Sequence, residues 1–107
     1  MNVVNLIGYV GKDPELRHTN GTGQSVVNLE LATRESFSDK AGVEQTRTEW
    51  HRLVFWGKLA ELVAAKVRAG DQVGVEGKLQ TRKWRDKENQ PRSTTEVVAT
   101  RVHLDES

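Results

Sequence analysis

The stretch TRTEWHRLVFWGKLAELVAAKVRAG, residues 46–70, changes its hydrophobic period once, and that change decides the fold. From Thr46 to Trp56 the period is two. Glu49, His51, Leu53 and Phe55 fall on one face of a strand, and Trp50, Arg52, Val54 and Trp56 on the other. From Lys58 to Arg68 the period lengthens to that of a helix. Leu59, Leu62, Val63 and Val67 share one side, good helix formers stand between them, and Gly70 is placed to end the helix in a left-handed conformation. The segment therefore reads as a strand followed by the one convincing helix of the chain.

Upstream, Val3 to Val10 is apolar apart from Asn5 and Gly8 and runs into the turn Gly11-Lys12-Asp13-Pro14, which predicts strand one. Leu16 to His18 continues it beyond a kink. Asn20-Gly21 lies in a cluster that reverses the chain. Strand two, Val26 to Thr33, alternates Val27, Leu29 and Leu31 with Asn28 and Glu30, and the polar stretch Ser38 to Gln45 reads as a long loop. Downstream, Gln72 to Thr81 alternates through Val73, Val75 and Leu79, a polar segment reaches Pro91, and Thr94 to Leu104 is rich in β-branched residues. Three strands, a helix and two strands make an all-β protein with the element order of the five-stranded Greek-key OB-fold barrel. Its α-helix lies between strands 3 and 4, and its sheet face and loops bind oligonucleotides. An SH3-like barrel or a sandwich has no helix at that position.

The 107 residues suffice for one domain, expected over 1–105, with 106–107 frayed. Without cysteine there is no disulfide or thiolate site, and His18, His51 and His103 are scattered, so neither metal nor cofactor is expected. No apolar run approaches a membrane span and no leader is visible, which makes a cytoplasmic protein the default. There is no phosphate-binding loop. Asp13, Glu15, Glu35, Asp39 and Glu49 lie in turns or beside basic residues and read as surface solvation, so no enzyme is expected. With a net charge of only +1, a polyanionic partner must be argued from where the charges sit.

If Leu53 and Phe55 point into the barrel, Trp50 and Trp56 point out beside Arg52, where flat rings near a cation suit unpaired bases. The same pattern also describes a core face with an arginine at its edge. The segment Lys78 to Arg92 tips the balance, because Lys78, Arg82, Lys83, Arg85, Lys87 and Arg92 face only Asp86 and Glu88, with Trp84 inside the basic run. A tryptophan between Lys83 and Arg85 in a hairpin is poorly placed for a core, and alternating cation and aromatic is what single strands require. Phe37, where strand two gives way to the loop, suits capping the barrel end as well as stacking a base.

The segments Thr48-Glu49-Trp50-His51-Arg52, Gly57-Lys58-Leu59-Ala60-Glu61, Glu76-Gly77-Lys78-Leu79-Gln80-Thr81-Arg82-Lys83-Trp84 and Thr94-Thr95-Glu96-Val97 resemble the bacterial single-stranded DNA-binding protein (SSB) family, as do Asn5 to Gly11 and Asp13-Pro14-Glu15. The resemblance spans almost the whole chain. It implies sequence-independent binding and protection of single-stranded DNA in replication, recombination and repair, in a bacterial, nucleoid-associated setting. It places base-stacking aromatics on Phe37, Trp50, Trp56 and Trp84. Phosphate contacts fall on Arg34, Lys58, Arg82, Lys83, Arg85 and Arg92. It further implies a homotetramer with His51 and Gln72 near subunit contacts. Gly74 departs from the pattern, since relatives often carry a bulky aromatic there, which leaves a dimer open. Relatives also continue through a disordered linker to an acidic tip that recruits repair and replication enzymes; with the sequence stopping at Ser107, that recruitment is not expected. The alternatives are a replication-restart accessory resembling primosomal replication protein N and an OB domain serving only as a protein-assembly module.

Overall fold

The computed structural model describes residues 1–104, so the end expected to fray at 106–107 lies outside the described residues. Its elements are β1 (Val4–Val10), β2 (Glu15–His18), β3 (Ser25–Ser38), β4 (Glu44–Trp56), α1 (Gly57–Lys66), β5 (Gln72–Arg85) and β6 (Pro91–Leu104). The sheet runs β1-β5-β6-β4-β3-β2 and closes on itself where β1 also pairs β3, at Tyr9↔Ala32 and Val10↔Leu31. β2 is strand one continued past the Gly11–Pro14 kink, so these segments form the five-stranded Greek-key OB barrel with its helix between the third and fourth barrel strands. A short parallel pairing of β4 with β6, Leu53↔Val97 and Val54↔Val98, joins the two antiparallel halves.

The inward positions are those of the alternating pattern. Val27, Leu29, Leu31, Leu53, Phe55, Val73, Val75 and Val97 fill the barrel, and Ala60, Val63 and Val67 close one end. Two helical expectations need correction. Leu62 is exposed, and α1 stops at Lys66 because Val67 is already extended. Gly70 is left-handed at φ 89°, as expected, but it serves the following turn. There the Asp71 carboxylate accepts from the Arg68 N–H at 2.9 Å and the Gly70 N–H donates to the Val10 carbonyl at 2.8 Å, tying the turn to β1.

The largest difference lies in the hairpins. β3 and β4 stay paired from Val26↔Trp56 out to Ser38↔Glu44, and β5 and β6 out to Arg85↔Pro91, so two long ribbons project where polar loops were expected. Both tips are built alike, from Asp39-Lys40-Ala41-Gly42-Val43 and Asp86-Lys87-Glu88-Asn89-Gln90. The Asp39 carboxylate accepts from the Ala41 and Val43 N–H groups at 2.9 Å and from Gln45 Nε2 at 3.2 Å. The Asp86 carboxylate accepts from the Glu88 and Gln90 N–H groups at 2.9 Å and from Arg92 Nε at 3.0 Å. The fourth residue of each tip is left-handed, Gly42 at φ 80° and Asn89 at φ 62°. Asp39, read from the sequence as a solvated carboxylate in a turn or beside basic residues, thus forms the turn itself.

These bonds hold both carboxyls below their ordinary value of 3.8. The Val43 N–H and then the Gln45 amide act on Asp39, and the Gln90 N–H and then Arg92 on Asp86. A folded pKa below the unfolded one stabilises above the unfolded value and is lost as pH falls through the folded one. The Val43 and Gln90 amide resonances are therefore expected to titrate with midpoints below 3.8. A midpoint at or above that value would contradict the carboxylate-held turns.

Candidate nucleic-acid interface

Directly paired residues point to the same side of a sheet, so the register identifies which side chains share a surface. On β4 and β3 the outward pairs are Trp50↔Ala32, Arg52↔Glu30, Val54↔Asn28 and Trp56↔Val26. Val54 pairs Val98, and Val98 leads through Lys78 to Glu96↔Gln80, Thr94↔Arg82 and Arg92↔Trp84. One continuous outer face therefore carries Trp50, Arg52 and Trp56 together with Lys78, Arg82, Trp84 and Arg92. Trp50, Trp56 and Trp84 are 57%, 40% and 43% exposed, while Leu53 and Phe55 behind them are fully buried. Val54, though on the outer side, is also buried. A groove lined by the cations Lys12, Arg52 and Arg82 and the carboxylates Asp13, Glu15 and Glu30 crosses this face.

Two of the three rings are held locally. The Trp84 indole Nε1 donates to Thr94 Oγ1 at 2.9 Å, which fixes the ring on its ribbon. The Trp50 ring lies against Gly11, where an added Cβ would stand 2.7 Å from it. Gly11 therefore seats Trp50 as well as turning the chain. Trp56 is the N-cap residue of α1, one position before Gly57 and two before the exposed Lys58.

The cations are less uniform than their spacing in the sequence suggests. Arg82 Nε sits 3.3 Å from the Glu96 carboxylate and Arg92 Nε 3.0 Å from Asp86, so both are positioned and partly neutralised. Arg85 Nη1 donates to the Asn89 carbonyl at 3.0 Å. Lys83 and Arg85 pair Ser93 and Pro91, which puts them on the side of the ribbon opposite Trp84. The basic run is thus divided between two faces.

Phe37 pairs Gln45 far out on the β3–β4 ribbon, away from the core, and so does not cap the barrel. It has the opposite parity to Trp50 and is 41% exposed, with the Arg47 guanidinium 5.0 Å from its ring centroid. His51 and Gln72 face two clefts that share Asn5, Leu6 and Ile7. His51 Nε2 lies 2.8 Å from Thr33 Oγ1 in one, and Gln72 lines the other with Gly74 and His103. One aromatic went unread in the sequence: Tyr9, which pairs Ala32 and is 46% exposed, with the Arg34 guanidinium 6.0 Å from its ring centroid. Its only signal was the alternation of Gly8 and Val10 inward with Ile7 and Tyr9 outward, masked by the apolar character of β1.

An OB barrel with exposed tryptophans and arginines ranged over one sheet face defines a class of protein, the oligonucleotide-binding barrels. Within it, this chain belongs to the single-strand binding protein family, whose profile matches residues 1–105. It is 50% identical over 105 residues to Single-stranded DNA-binding protein 1 of Chlorobaculum tepidum, an alignment covering 97% of this chain and 64% of that protein. The chain thus spans just under two thirds of that relative's length. Among solved structures it is similar to an SSB of Plasmodium falciparum in complex with ssDNA, with a TM-score of 0.89, 32% identity, and coverage of 99% of this chain and 96% of that one. It is also similar to a deletion variant of the single-stranded DNA binding protein from Thermus aquaticus, with a TM-score of 0.88, 31% identity, and coverage of 100% of this chain and 51% of that one.

Proposed function

We propose that this protein binds and protects single-stranded DNA without regard to sequence, as a non-catalytic coat during replication, recombination and repair. The observation that carries the reading is the continuous outer face on which Trp50, Trp56 and Trp84 stand exposed among Arg52, Arg82 and Arg92. Bases splay onto the rings, each stack worth about 1–3 kcal/mol, while the cations follow the phosphates. Every base has a π face, so stacking needs no sequence code. Duplex DNA binds poorly, because its bases already stack on one another. The 32% identical Plasmodium protein, solved with ssDNA, supports the same ligand class.

Phosphate contacts are assigned to Arg34, Lys58, Arg82, Lys83, Arg85 and Arg92. The subunits assemble as a homotetramer with His51 and Gln72 near the contacts. Gly74, which pairs Ile7, favours a dimer as the second reading, since it brings no side chain to the cleft that it lines with His103. The protein acts in the bacterial cytoplasm, on the nucleoid.

Tryptophan fluorescence titrated with oligo(dT) and with a matched duplex tests the reading. Strong quenching by oligo(dT) alone is expected, and absence of quenching would sink the stacking platform. Repeating the titration across salt concentrations addresses the cations, at about −0.7 in the log–log slope per phosphate neutralised. A slope near roughly −4 is expected if all six assigned cations engage phosphates, and near roughly −3 if Arg82 and Arg92 stay with their carboxylates. A flat response would remove the phosphate contacts from the mechanism.

A further inference from the structure

We propose that Tyr9 is an additional base-stacking position and that Tyr9 and Arg34 together hold one unpaired nucleotide, with the base on the phenol ring and the phosphate on the guanidinium. This inference rests on the single-strand reading above and extends its surface from β4 across β3 onto β1.

Tyr9, Ala32 and Trp50 form one row across three adjacent strands, all pointing outward. Ala32 is small and buried, so nothing rises between the two aromatic residues. Strands lie about 4.8 Å apart, which separates the Tyr9 and Trp50 backbones by about 10 Å. Trp50 does not stand upright over that gap. Its ring rests on Gly11, two residues on from Tyr9 and just past the end of β1, where the Gly11 N–H still donates to the Glu30 carbonyl of β3 at 3.0 Å. Two residues of strand span about 7 Å, so the Trp50 ring and Tyr9 are neighbours along β1. A strand stacked on Trp50 therefore meets Tyr9 at its next step, with no need to leave the sheet.

The cation is in place as well. Arg34 lies two residues along β3 from Ala32, on the same side, with its guanidinium 6.0 Å from the Tyr9 centroid. Among the described residues it makes no ion pair, unlike Arg82 and Arg92. The guanidinium lies over the exposed ring and no ion pair among the described residues holds it there, so it is free to move aside to a phosphate while the base takes the ring. Tyr9 is 46% exposed, which leaves a large part of its side chain in water until something covers it.

The test compares Tyr9→Ala, Tyr9→Phe and Trp50→Ala for affinity to labelled oligo(dT) by anisotropy, with light scattering for mass. It adds photocrosslinking of the unaltered protein to iodouracil-substituted oligo(dT). Tyr9→Ala is expected to weaken binding by about 5- to 150-fold, the loss of one stack, while Tyr9→Phe stays within about threefold because the ring face remains. Mass should be unchanged, and a crosslinked peptide containing Tyr9 should appear. The inference is overturned if Tyr9→Ala binds normally while Trp50→Ala weakens, which leaves the single-strand reading intact. It is also overturned if Tyr9→Ala changes the oligomeric mass, which would make Tyr9 a subunit contact, or if no crosslink maps to β1. If neither Tyr9→Ala nor Trp50→Ala weakens binding, the single-strand reading itself fails with it.

Discussion

The double substitution Trp50→Ala, Trp84→Ala is expected to weaken oligo(dT) binding by between about 30-fold and about 2 × 10⁴-fold, from two stacks of about 1–3 kcal/mol each. The two rings belong to different ribbons and are held by different groups, Trp50 by Gly11 and Trp84 by Thr94, so their effects should be close to additive. Both are substantially exposed, and neither belongs to the core cluster, so the thermal midpoint should move little. Anisotropy with labelled oligo(dT) replaces the lost fluorescence as the readout. A double variant that binds within about threefold of the parent would mean that bases do not lie on this face.

Phe55→Ala, one residue before Trp56, should do the opposite. Phe55 is fully buried in the barrel core and is the largest of its fully buried side chains. Removing such a ring costs about 3–5 kcal/mol through lost burial and the cavity left behind. Against a typical domain stability of about 5–15 kcal/mol this is a large fraction. Chemical denaturation should show the loss as a lower midpoint, with oligo(dT) affinity nearly unchanged wherever the variant is still folded. A loss below about 1 kcal/mol would contradict the inward assignment of β4. Trp56→Ala should show the reverse profile, because adjacent strand residues face opposite sides of the barrel wall.

Much of the interface was legible because β4 is amphipathic within the barrel. If Leu53 and Phe55 take the core, the alternate residues Trp50, Arg52 and Trp56 face out, and the basic run around Trp84 decided for that reading over a core face with an arginine at its edge. The ribbons were not legible in the same way. Beyond Thr33 on β3 and beyond Thr81 on β5, both sides of the strand meet water, so no apolar alternation marks the pairing. The polar composition of Ser38 to Gln45 then reads as loop, although Asp39 and Gly42 close a tight turn. Lys83 and Arg85 look continuous with Arg82 and Trp84 along the chain, whereas strand pleating sends them to the other face.

By itself the sequence determined the barrel, the place of its helix and the outward side of β4, because burying alternate apolar residues is a local constraint written every second position. Only the tertiary structure decided which surfaces merge. The closure of β1 on β3 brings Tyr9 and Gly11 beside Trp50, and the β4–β6 pairing brings the Trp84 ribbon onto the same face. It also decided that Arg82 and Arg92 carry carboxylate partners while Arg34, among the described residues, does not. These facts depend on strand order and register between segments far apart in the chain, and hydrophobic periodicity within one segment carries no information about its neighbour across the sheet.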